Sequence, residues 1–266
     1  MIRQTIILVS IVFGIIACGN NSSKTETKLI ANNYTENNET LKSQKLTKAD
    51  SIINEAIQAH GGTLYNTANY SFIFRKKEYR FTNNDNQYTY SVKRDQNTND
   101  FIINGTFKRH VNEKPIEISK KNTEKYTEAL NSVIYFATLP YKLNDAAVNK
   151  KFIETTSIKG INYDVIEVTF NQEGGGKDHE DEFHYWVNQE TKKIDYLAYK
   201  YNVNKGGVRF RSAYNPRVVD GITFQDYINW KAPVGTPLKE LPALFEQGKL
   251  KELSRIDTEN VINLKK

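Results

Sequence analysis

Residues 69–92 read NYSFIFRKKEYRFTNNDNQYTYSV, and this stretch decides the fold class. Tyr70, Phe72 and Phe74 alternate with Ser71, Ile73 and Arg75, the period-two spacing of a strand. After Lys76-Lys77 the aromatics change parity to Tyr79 and Phe81, which predicts a bulge or a strongly bent strand. Asn84-Asp85-Asn86 marks a turn, and Tyr88, Tyr90 and Val92 give the next strand its apolar face. The chain holds 16 Tyr and 13 Phe. Such residues suit half-buried strands, so the expected core is aromatic and sheet-built.

Strand signals continue on the C-terminal side. Phe101 to Val111 is β-like around a tight Asn104-Gly105 turn, and residues 114–119 form a short partner across Asn112-Glu113. Phe152–Ile158 and Ile161–Phe170 flank Lys159-Gly160, a hairpin signal. Val165, Ile166, Val168 and Phe170 make the second of these the most apolar strand, expected to be central. Phe183–Val187, Asp195–Tyr201, Val208–Ala213, Val218–Val219, Ile222–Phe224 and Asp226–Trp230 follow, with Asp220-Gly221 as a turn. A helical segment near Leu238–Leu250 and a last strand, Val261–Leu264, close the chain.

Two helices interrupt the strands. Thr47-Lys48-Ala49-Asp50 reads as a capping box. Ile52, Ile53, Ala56 and Ile57 then share one helical face, and Gly61-Gly62 stop it. His60 falls in the last turn, where a positive charge would meet the negative helix end. In residues 122–139, Tyr126, Ala129, Leu130, Val133, Ile134, Phe136 and Ala137 recur at helical spacing. Asn122 or Thr123 can cap its start, and Pro140 ends it. Its last turns are apolar nearly all round, so it must be sandwiched or cover a cavity. The expected architecture is mainly β with helices: a single strongly curved antiparallel sheet, or half-open barrel, of about 10–12 strands. The N-terminal helix and the inserted helix would lie on its concave side.

The N-terminus sets the compartment. Arg3 precedes an apolar run from Ile6 to Ala17, broken by Ser10 and Gly14, and the chain's one cysteine, Cys18, follows. This is the pattern of a secretory signal, too short to span a bilayer. Ending on cysteine, it resembles a bacterial lipoprotein lipobox, which implies cleavage before Cys18 and a lipid on that residue. The expected organisation is 1–17 signal peptide, 18–46 lipidated cysteine and tether, and 47–266 one β domain. Residues 19–46 are rich in Asn, Ser, Thr, Lys and Glu and cannot bury enough surface to order themselves. As a coil, about 28 residues reach roughly 30 Å. No acidic run follows Cys18. In some lipoproteins such a run resembles a surface-export signal, so the expectation is an outer-membrane anchor facing the periplasm.

Composition removes several classes of function. With Cys18 acylated, no thiol remains for disulfides, thiol catalysis, zinc–thiolate sites or iron–sulfur clusters. The formal charge of +6 is spread along the chain instead of forming a basic face, which argues against nucleic acid. No nucleophile elbow accompanies the four histidines. No cofactor is expected. The expected partners are a membrane, through the anchor, and a lipid or other hydrophobic ligand; no protein partner is indicated.

Three stretches are more distinctive than composition. They are Ala59-His60-Gly61-Gly62, then residues 132–145 (SVIYFATLPYKLND), then residues 173–181 (EGGGKDHED). Together they resemble an uncharacterised family of Gram-negative lipoproteins, a domain of unknown function, over roughly residues 48–264. That resemblance carries no known activity. The order of elements is also similar to lipoprotein-localisation factors of the LolA/LolB type. It implies a curved antiparallel sheet with helices on the concave side and an apolar cavity for acyl chains.

Three sites compete. Phe72, Phe74, Tyr88, Tyr90, Val133, Phe136, Leu139 and Tyr141 are candidates to line an apolar ligand pocket, against the plainer reading that they form an ordinary core. Asp178 and Asp181 are candidates to pair with Arg209 and Arg211, which lie two apart and so share a strand face. Within the acidic cluster Glu173, Asp178, His179, Glu180, Asp181, Glu182 and His184, a metal set of Asp178, His179, Asp181 and His184 has suitable ligand chemistry. It lacks any established spacing. Gly174–Gly176 is followed by a strand signal and not by a helix, so a tight loop is favoured over an anion cradle. The expected function is a non-enzymatic envelope lipoprotein binding a lipid or acyl chain. The alternatives are a metal-assisted enzyme and an accessory subunit of an envelope complex.

Overall fold

The computed structural model describes residues 46–171, 181–202 and 206–265. Among the described residues, fourteen strands form two antiparallel sheets of seven. The first contains β1 (Asn69–Phe74), β2 (Lys77–Asn84), β3 (Gln87–Lys93), β4 (Thr98–Ile103), β5 (Thr106–Val111), β6 (Lys114–Ile116) and β14 (Glu259–Asn263). The second contains β7 (Val148–Ile158), β8 (Ile161–Phe170), β9 (Glu182–Asn188), β10 (Ile194–Tyr201), β11 (Gly207–Val219), β12 (Ile222–Ala232) and β13 (Lys251–Ile256). Both are meanders, except that β14 returns to pair with β1.

This corrects the expectation of a single sheet with ten to twelve strands. The reason lies at Asp257-Thr258, the two residues between β13 and β14. One strand pairs with β12 in the second sheet and the other with β1 in the first. The corner is pinned. Thr258 donates its backbone N–H (2.8 Å) and hydroxyl (3.0 Å) to Asp226 Oδ1. Arg217 pairs with the same carboxylate at 3.2 Å and donates to the Thr258 hydroxyl. Thr258 and Asp226 are buried, so this polar knot is held in low dielectric, where satisfied networks fix geometry. The chain changes sheet here without closing a barrel.

The parity switch after Phe74 has a different cause from the one expected. Arg75 (φ 48°) and Lys76 (φ 64°) are both left-handed and form a two-residue hairpin turn. Tyr70 then faces Phe81 and Phe72 faces Tyr79, with ring centroids 5.6 and 5.7 Å apart. The signal was a hairpin, not a bulge.

Helix α1 (Lys48–His60) has the reciprocal capping box read from its sequence. Its buried face, with Ile52, Ile53, Ala56 and Ile57, packs on Ile166, Val168, Phe183, Tyr185 and Leu197 of the second sheet. The short helix α3 (Leu241–Glu246) follows a 3-10 turn at Leu238–Glu240 and covers that sheet's other face, over Trp186 and Phe210. Sheet two is therefore covered on both sides, which is why β8 and β9 read as nearly continuous apolar runs. Helix α2 (Lys120–Ala137) is capped by Ser119, not by Asn122 or Thr123. Among the described residues, no helix is long and apolar enough to cross a membrane.

Candidate functional site

Helix α2 is wedged between the sheets. Leu130 and Ile134 bury themselves in the first sheet's core with Phe72, Phe81, Tyr90 and Ile102. Tyr135 and Phe136 turn toward the second sheet's core. A helix that is apolar all round should be buried all round. Yet Val133, Tyr135, Phe136 and Ala137 are only half-buried. The space they fail to fill is a pair of clefts, one on each flank of the helix.

The first cleft, about 290 Å³, runs from Tyr88, Tyr90 and Ile102 of sheet one, past Ser132, Tyr135 and Phe136, to Val148, Phe170 and Phe183 of sheet two. Lys142 stands at its wall with Nζ 5.2 Å from the Tyr88 ring centre and 3.2 Å from Asp145. The hydroxyls of Tyr135 and Tyr185 meet at 3.0 Å. The second cleft, about 210 Å³, lies between Phe74 and Arg75 on one side and Arg211, Gln225, Tyr227 and Asn229 on the other. Ser132 and Phe136 border both.

Arg211 gives the second cleft its electrostatics. The residue is 7% exposed. Its guanidinium lies 3.9 Å from the Phe136 ring centre, and Nη2 donates to the Tyr199 hydroxyl at 3.1 Å. Nε has no partner, and no carboxylate among the described residues pairs with the group. Arginine stays charged, and a buried charge without a counter-ion is costly. The cation–π contact returns only about 2 kcal/mol or more when desolvated.

The eight aromatic and aliphatic candidates separate. Phe74, Tyr88, Tyr90, Val133 and Phe136 line the clefts. Phe72 and Leu139 lie in the closed core, and Tyr141 stacks on Tyr65 at 4.8 Å. Arg209 donates to the Tyr201 hydroxyl at 2.6 Å, so both arginines are engaged by tyrosines. Cys18, Glu173, Gly174–Gly176, Asp178, His179 and Glu180 lie outside the described residues, and with them the Asp178 pairing and two of the four expected metal ligands, Asp178 and His179. Asp181 is half-buried just before β9. His184 sits within β9, next to Glu167 and Glu182. Burial pushes its pKa down, against the opposing pull of Glu182 and Glu167.

Sequence reasoning missed Arg211 as a cleft residue and Glu167 altogether. The signal was present in each case: a charge inside an otherwise apolar strand, Val208-Arg209-Phe210-Arg211 and Val165-Ile166-Glu167-Val168. A charged residue on a covered face needs a partner or a ligand.

A model of a family of unknown function, DUF6503, matches residues 40–258. No curated protein matches the sequence. Among solved structures, the chain is similar to a LolA superfamily protein from Nitrosomonas europaea (TM-score 0.49, 12% identity, 83% of this chain and 95% of that one). It is similar to a DUF1329 family protein from Desulfovibrio piger (0.45, 11%, 83% and 95%). It is also similar to a candidate outer membrane lipoprotein-sorting protein domain from Vibrio parahaemolyticus (0.43, 9%, 81% and 92%).

Proposed function

Because the chain belongs to DUF6503, a family that supplies no activity, we propose its function from the clefts themselves: it binds an amphipathic ligand with one apolar chain and an acidic head. The observation that carries this reading is the buried Arg211, with which no carboxylate among the described residues pairs, beside the half-buried apolar end of α2. The aromatic and aliphatic walls suit a hydrocarbon chain. The guanidinium suits a carboxylate or phosphate, which it can hold with paired N–H donors. Clefts of about 290 and 210 Å³ are at or below the small end for ligand sites, about 300 Å³, so one narrow chain is assigned. In this reading residues 1–17 are removed, Cys18 carries the anchor, and the tether holds the domain at the outer membrane's periplasmic face. The support for the anchor is the residue pattern from Arg3 to Cys18.

The test uses the full chain with a long-chain fatty acid and its methyl ester, followed by displacement of a fluorescent fatty acid. Arg211→Met is expected to weaken the acid by about 10- to 100-fold, since a charged hydrogen bond is worth about 1.5–3 kcal/mol. Ester binding should be unchanged. The same variant should fold at least as stably as the parent, because it removes a buried charge that no carboxylate among the described residues neutralises. Phe136→Ala should weaken both ligands. Failure of the parent protein to bind either compound would refute the reading.

A further inference from the structure

We propose that Glu167, Glu182 and His184 form a divalent-metal site on the face of the second sheet away from α2. Glu182 and His184 are two apart on β9, so their side chains share a face, and Glu167 of β8 stands opposite His184 in register. That face also carries Trp186, under α3, whereas Phe183 and Tyr185 point to α1. The site therefore shares no residue with the ligand clefts.

His184 Nε2 lies 3.2 Å from Glu182 Oε1 and 3.8 Å from Glu167 Oε2. The three ligand atoms fall within 4.8 Å of one another. An ion bound at about 2.0–2.2 Å in tetrahedral geometry holds neighbouring ligand atoms about 3.3–3.6 Å apart. The cluster thus needs only small side-chain adjustments to close on an ion. The second observation is the imidazole itself. His184 is 6% exposed, yet neither ring nitrogen has a partner with hydrogen-bond geometry. The 3.8 Å approach to Glu167 is too long for a hydrogen bond, and the 3.2 Å approach to Glu182 does not meet hydrogen-bond geometry. A buried polar atom left unsatisfied costs about 1–3 kcal/mol, and an ion would remove that cost at Nε2.

Lys200 does not compete for the same oxygen. Its Nζ pairs with Glu182 Oε2 at 2.5 Å, leaving Oε1 toward His184. One imidazole nitrogen and two carboxylate oxygens suit zinc or manganese better than calcium, which takes six to eight oxygens. A cavity of about 670 Å³ opens beside the three ligands, bordered by Tyr201, Gly207 and Val234–Lys239. Three protein ligands with an open fourth position facing such a space leave room for a bound water.

The experiment is uptake of Zn²⁺ and Mn²⁺ by the chelator-treated full chain, read by elemental analysis and titration calorimetry, with no ligand present. The expected result is one equivalent of one of these ions. Glu167→Gln and Glu182→Gln should each weaken uptake by at least about tenfold. Both carboxylates are partly exposed, so these variants should fold, and circular dichroism will verify it. His184→Asn should abolish uptake in any preparation that retains the parent spectrum. No stoichiometric uptake by the parent, or uptake undiminished in both glutamine variants, would overturn the proposal. Fatty-acid binding is measured separately on the same preparations, so either reading can fail alone.

Discussion

Replacing Asp100 by alanine should lower folding stability by about 3–5 kcal/mol, the usual cost of removing one partner from a buried ion cluster. Asp100 is fully buried on β4. Its Oδ1 accepts from Arg109 Nε at 2.5 Å and its Oδ2 from Arg109 Nη2 at 2.8 Å, and Arg94 pairs with Oδ2 as well. One carboxylate thus holds two guanidiniums, and hydrogen bonding to Asp100 raises the pKa of Arg109. Tyr126 of α2 lies over both cations, 4.1 Å from each. Without Asp100, two like charges face each other beneath that ring. Arg94 and Arg109 keep 21% and 12% side-chain exposure, so partial escape to water should put the loss nearer the lower figure. Arg109→Ala should cost less than Asp100→Ala, because Arg94 still neutralises the carboxylate. The measurement is the urea midpoint of each variant and of the double variant, which isolates the coupling. The cluster also seats the N-terminal half of α2, so Asp100→Ala should loosen the helix that borders both clefts and weaken fatty-acid binding. If Asp100→Ala unfolds within about 1 kcal/mol of the parent, the cluster is solvated and not structural.

How far the sequence could be read depended on which residues held the turns. Asn104-Gly105, Lys159-Gly160 and Asp220-Gly221 each carry a glycine at positive φ, and all three turns were legible. Arg75-Lys76 adopts the same left-handed pair with residues that announce nothing, so a hairpin was read as a bulge. Strand β13 opens with three exposed residues in a row, Lys251-Glu252-Leu253, and its weak alternation hid it. That omission hid the strand from which the chain returns to the first sheet, and a single sheet was the natural result. Merging ran the other way in β11. Its register shifts between Tyr214 and Arg217, and this irregularity split one long strand into two short ones. For the candidate site, helical periodicity identified α2 and its all-round apolar end. It could not say which aromatics face space and which face each other. Phe72 and Phe74 have the same parity, yet one is sealed in the core and the other borders a cleft. That distinction depends on where α2 stops filling the gap, which is a property of packing and not of pattern.

Lowering the pH from 7 to 5 should remove about 2 kcal/mol of stability through His60 alone, and a further loss follows down to about pH 3. His60 is the last residue of α1 and is 1% exposed. Its Nε2 accepts the Ile194 backbone N–H at 3.3 Å, so the ring is neutral there and is not the positive helix-end charge expected from its position. Burial, reinforced by Lys193, pushes its pKa down to about 3 from 6.5. The sign follows from proton counting. Below pH 6.5 the unfolded chain binds a proton at His60 that the folded chain refuses until about pH 3. Stability from this group is therefore complete above 6.5 and falls by about 1.4 kcal/mol per pH unit below it. Gly61, the residue after His60, lets the helix end pack closely on β12. A Cβ at Gly61 (φ +141°) would lie 3.0 Å from Ile222 Cγ1 and 3.2 Å from its Cα, so the helix end is jammed against the start of β12. This gives the Ala59-His60-Gly61-Gly62 motif a packing role in which the imidazole caps the β10 backbone. His60→Gln can keep an acceptor near the Ile194 N–H without a titrating group. The difference in unfolding free energy between parent and His60→Gln should then narrow steadily from pH 7 to pH 5, where most carboxylates in both proteins remain ionised. Parallel curves over that range would mean that His60 is protonated, or solvated, in the folded state.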